Sequence, residues 1–76
     1  MLVSPKGNYI TVQFTFATVN DEGFSIIYLF ANTGEILGKW CLHKNENEEF
    51  MLRLNEDYFF VTGKERVFVY KLLSLP

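Results

Sequence analysis

A chain of 76 residues with a net charge of −2 makes one small domain or less, and its 7 basic residues are too few and too scattered to meet nucleic acid. Hydrophobic residues account for 49% and aromatic ones for 17%, which excludes disorder as a description of the whole chain. A core of this size is marginal, so the surplus rings must either fill it tightly or face a partner.

The single cysteine, Cys41, excludes an intramolecular disulfide and favours a reducing, cytoplasmic setting. No apolar run approaches the ~20 residues of a membrane helix. The start, MLVSP, lacks the basic and apolar regions of a signal peptide.

In chain order, a Pro5-x-Gly7 turn leads into Ile10, Val12, Phe14 and Phe16, which alternate with Thr11, Gln13 and Thr15. That period of two predicts a half-buried strand with its apolar side inward. Asn20-Asp21-Glu22-Gly23 predicts a turn. The next strand, Phe24 to Ala31, is apolar on both faces and should be covered on both. Asn32-Thr33-Gly34 predicts a short hairpin loop with Gly34 left-handed.

A third strand, about Glu35 to Leu42, sets Ile36, Trp40 and Leu42 on one face and Lys39 and Cys41 on the other. Gly38 within it marks a bulge or a close backbone approach. His43 to Glu48 reads as polar loop. The alternation of Phe50, Leu52 and Leu54 favours a strand over 49–54, with a short helix from near Asn47 as the competitor. Tyr58 to Thr62 and Val67 to Leu72 complete an all-β, antiparallel set of six strands, joined by a Gly63-Lys64-Glu65 hairpin loop.

The chemistry-bearing residues do not assemble into a catalytic motif. Cys41 and His43 are too few for a structural zinc site. The glycines form no phosphate-binding loop. Glu46, Glu48, Glu49, Glu56 and Asp57 read as a solvated loop and turn. No enzyme activity, metal or cofactor is therefore expected. Trp40 with Lys39 could line a sugar or peptide groove, although a tryptophan closing the hairpin core is the simpler reading. The residues expected to touch a partner or ligand are Trp40, Lys39, His43, Glu48, Lys64 and Arg66, most of them in the loops His43 to Glu49 and Gly63 to Arg66. Asn20 to Gly23 is the third loop of that surface.

Two parts of the chain look alike. Asn8-Tyr9-Ile10 answers Asp57-Tyr58-Phe59, and Ile27-Tyr28-Leu29-Phe30 answers Val67-Phe68-Val69-Tyr70. Ser4-Pro5-Lys6-Gly7-Asn8-Tyr9-Ile10 is similar to the turn between the first two strands of many WD40-like blades. Ile26 to Phe30 followed by Asn32-Thr33-Gly34-Glu35 is similar to the third strand and its hairpin. The chain thus resembles a β-propeller repeat of WD40-like type, without the Gly-His and Trp-Asp signatures.

The resemblance implies two incomplete blades, about residues 4–43 and 49–73, in a single unit of 1–76 or a piece of a larger propeller. A small six-stranded sandwich or barrel is the alternative fold. The implied role is a non-enzymatic protein-interaction or scaffold module. It would be covered by a protein partner, by copies of itself or by further blades, through its apolar faces and open edge. A small oligomeric carbohydrate-binding, lectin-like assembly is the alternative function.

Overall fold

The computed structural model describes residues 1–17, 23–45 and 48–72. Its strands are β1 (Leu2–Val3), β2 (Tyr9–Ala17), β3 (Gly23–Ala31), β4 (Ile36–Lys44), β5 (Met51–Leu54), β6 (Tyr58–Thr62) and β7 (Val67–Lys71). Among the described residues there is no helix, and the 49–54 segment is strand. The expected turn residues Asn20, Asp21 and Glu22, and the loop residues Glu46 and Asn47, lie outside the described residues. Among the described residues the strands number seven rather than six, because β1 is 2 residues long and too short to show a period.

All pairings are antiparallel. They build a four-stranded sheet in the order β1-β2-β3-β4 and a three-stranded sheet in the order β5-β6-β7. β2 and β3 pair along their full length, from Tyr9 opposite Ala31 to Ala17 opposite Gly23. Gly34 closes the β3–β4 hairpin at φ 93°, a conformation that costs glycine no steric strain. β4 runs on past the expected end, because β3 still offers Phe24 and Gly23 as partners for His43 and Lys44.

One irregularity re-aims β4. Leu29 faces Gly38 while Phe30 faces Ile36, so Leu37 is the extra residue of a bulge. Ile36 is thereby turned to the face opposite Trp40 and Leu42, where simple alternation had grouped all three. The ring of Trp40 lies where a side chain on residue 38 would begin, which is why glycine stands there.

The two sheets face each other across one core. Tyr9, Ile27 and Leu29 from one sheet meet Phe59 and Val61 from the other, with Phe50 and Leu72 closing the ends. Trp40 spans the join, its ring 5.7 Å from Phe59 and 5.3 Å from Tyr70. Each such large apolar side chain contributes about 1.5–3 kcal/mol when fully buried.

β2 enters this core the other way round from the sequence expectation. Its inward side is Tyr9, Thr11 and Gln13; its outward side includes Phe14 and Phe16, 50% and 56% exposed. Alternation tells which residues share a face but not which face is covered. Register decides that: Thr11 lies opposite Leu29 and Gln13 opposite Ile27, on the side of β3 that meets the second sheet. β3 is likewise covered on one side only, and Phe24 on its free side is 51% exposed.

The radius of gyration is 13.0 Å, above the roughly 11 Å of a sphere-like chain this long. The cause is unequal strand length. β2, β3 and β4 have 9 residues each whereas β6 and β7 have 5, so one sheet overhangs the other.

Candidate functional site

Four of the six candidate contact residues gather at one end of the molecule. The β4–β5 connection carries Glu48 beneath the β6–β7 hairpin, where it is 1% exposed. Its Oε2 accepts hydrogen bonds from the backbone N–H of Lys64 at 3.1 Å and from Arg66 Nε at 3.3 Å. Its Oε1 accepts from the backbone N–H of Asn45 at 3.1 Å and pairs closely with Arg66 Nη2. Arg66 Nη2 also donates to the carbonyl of His43 at 2.6 Å, and the guanidinium sits 5.0 Å over the ring of Phe50.

Arg66 is the main reason that the Glu48 carboxyl is held down at about 2, with the Asn45 and Lys64 backbone donors adding to it against the opposing pull of burial. Gly63 belongs to the same arrangement. A Cβ there would lie 2.6 Å from Glu48 Oε2 and 3.0 Å from the Phe50 ring. The expectation of a solvated acidic loop is therefore wrong for Glu48. The sequence displays the charge but not the cation 18 positions downstream that takes it inside.

This cluster is a tie between elements. The carboxylate is saturated by donors of the chain itself, His43 and Lys64 enter through backbone atoms, and little is left to hold a ligand.

A second carboxylate ties the other end. Glu56, in the β5–β6 turn, accepts from the backbone N–H of Lys6 at 2.5 Å and from Asn8 Nδ2 at 3.2 Å. Burial pushes its carboxyl up, but hydrogen bonds from Ser4, Lys6 and Asn8 outweigh that and leave it below the ordinary carboxylate range.

The remaining two candidates part company. Lys39 and Trp40 stand on opposite faces of β4: the Lys39 ammonium is 5.5 Å over the Tyr28 ring outside, while Trp40 is committed to the core. They share no groove. Cys41 and His43 both lie on the outer face, opposite Ile26 and Phe24. Among the described residues no three His, Cys, Asp or Glu side chains are grouped to hold a metal ion. A shallow, open cleft of about 480 Å³ runs between the free edges of β1 and β5, lined by Leu2, Val3, Leu52 to Asn55 and Phe60.

Sequence reasoning expected apolar faces to meet a partner but turned the apolar side of β2 inward, and so missed its place on the outer face of the four-stranded sheet. Ile10, Val12, Phe14 and Phe16 of β2 lie there beside Phe24, Ile26, Tyr28 and Phe30 of β3. Phe14 meets Tyr28 edge to face with centroids 6.2 Å apart, and Tyr28 stacks on Phe30 at 5.9 Å. The rings support one another, and among the described residues nothing covers them. The signal was present as an excess: 8 phenylalanines are more than a core this small can hide. β7 adds a second apolar surface, an edge strand whose five residues are all exposed. Compared with protein-family models, with curated proteins and with solved structures, the chain matches none.

Proposed function

We propose that this chain is a non-enzymatic interaction module, two propeller-like sheets that work by covering the outer face of the four-stranded sheet against protein. One observation carries this reading: β2 turns its polar side into the core and leaves Phe14 and Phe16 half exposed beside Phe24. Contiguous apolar surface of this kind marks a contact site rather than a solvated face. The polar clusters fit the same reading, because Glu48 and Glu56 are spent on holding turns and strands together.

A benzophenone amino acid at position 16 tests it, with the same group at the exposed turn residue Pro5 as control. Illumination should capture protein, of its own or another kind, through position 16 and not through position 5. Equal capture at both, or none at either, would refute the reading.

A further inference from the structure

The two sheets repeat each other's bonding when Tyr9 is set against Tyr58. The Ser4 N–H donates to the Tyr9 carbonyl at 2.9 Å as Asn55 N–H does to Tyr58 at 3.0 Å. In return, Tyr9 N–H donates to Ser4 Oγ at 3.0 Å and Tyr58 N–H to Asn55 Oδ1 at 2.7 Å. Beyond the strands, Asn32 N–H meets the Asn8 carbonyl as Leu72 N–H meets that of Asp57. The registers agree too, with Ile10 opposite Phe30 as Phe59 is opposite Tyr70.

This equivalence shows that the core joins unlike faces. Phe59 and Val61 are buried between the sheets, yet their counterparts Ile10 and Val12 lie on the free face of the four-stranded sheet. Tyr9 and Thr11 are buried there as well, while their counterparts Tyr58 and Phe60 lie on the free face of the three-stranded sheet. Each half of the internal interface thus has one unused counterpart on the outside of the same molecule.

We propose that these two free faces mate between copies. The outer face of the four-stranded sheet (Phe14, Phe24, Tyr28) docks on the outer face of the three-stranded sheet (Phe60, Val67, Val69) of the next copy. The contact continues, between chains, the interface that already joins the two sheets within one. It rests on the interaction reading and names its partner as a second copy. Because unlike faces meet, assembly is head to tail and leads to a ring or a filament rather than a two-fold dimer. Among the described residues, Trp40 and Leu42 of β4 have no counterpart beside β7.

Subunit mixing tests it. Phe14→Asp with Phe16→Asp spoils one face; Val67→Asp with Val69→Asp spoils the other. By light scattering, the wild type should rise two-fold or more in mass with concentration, each variant alone should keep the mass of one chain, and an equimolar mixture should give two chains and stop. A Val67/Val69 variant that still dimerises alone pairs like faces and overturns the proposal, as does a wild type that remains one chain at about 1 mM.

Wild-type Cys41, exposed on the four-stranded outer face, gives a readout that needs no variant. Its maleimide labelling should slow several-fold as concentration rises, and a rate independent of concentration overturns the proposal even if the aspartates prevent folding. A single-chain wild type whose position 16 captures a different protein ends the self-pairing and leaves the interaction reading standing. Absence of both ends both.

Discussion

β2 and β6 occupy the same place in their sheets and open with the same residue, yet they bury opposite sides. From Tyr58, β6 hides its apolar alternates Phe59 and Val61 and shows Tyr58 to solvent. From Tyr9, β2 hides Tyr9 and Thr11 and shows Phe14 and Phe16. The difference teaches that the covering sheet, and not the strand's own pattern, decides which side is core. It has a cost on the β2 side. The hidden Thr11 hydroxyl has no hydrogen-bond partner among the described residues, and Gln13 reaches Ser25 Oγ at 3.3 Å and the Phe50 carbonyl at 3.5 Å to satisfy its amide.

The comparison breaks if the two kinds of phenylalanine behave alike. Phe59→Ala should cost about 3–5 kcal/mol, enough to unfold much of so small a domain, whereas Phe14→Ser should cost no more than about 0.5 kcal/mol. Denaturant midpoints decide this, and equal losses would mean that the outer face is also core.

Next in size is Glu48→Gln, which removes the charge that Arg66 pairs with. With the folded carboxyl at about 2 against an ordinary 4.5, the wild-type contribution is complete above 4.5 and is lost as pH falls through about 2. The variant should melt below wild type at pH 7, with the gap closing steadily over that window. A gap that stays constant down to pH 2 would show that charge is not the cause.

Gly38→Ala presses a methyl group into the Trp40 ring and should cost about 1–3 kcal/mol, with a red shift in tryptophan emission as the ring leaves Phe59. An unshifted spectrum would count against the close approach. The smallest effect sharpens the β2 side: Thr11→Val replaces the unpartnered hydroxyl by a methyl and should raise stability by up to about 1 kcal/mol. A clear loss on thermal melting would mean that the hydroxyl is bonded after all.

The class and most strand positions were legible from local residues alone. Tyr58 to Thr62 shows a clean period of two, and Gly34 sits where a hairpin needs a positive φ. Gly38, read as a bulge or a close backbone approach, adjoins the bulge, although what lies close to it is the Trp40 ring and not backbone. What stayed hidden depends on residues distant in sequence. Nothing near Phe14 tells that Phe59, 45 positions away, lies against the other side of its sheet. Nothing near Glu48 reveals Arg66. The two-residue β1 exists because β2 offers it an edge, and has no pattern of its own.

The Glu56 clasp carries a consequence in time. Its bonds to Lys6 and Asn8 join positions 50 and 48 apart, whereas the β2–β3, β3–β4 and β6–β7 hairpins are local. Local pairings can form within microseconds, but the clasp can close only after both sheets are in place. It should therefore be absent from the folding transition state and act as a brake on opening. In stopped-flow experiments, Glu56→Gln is expected to hasten unfolding and leave the refolding rate almost unchanged.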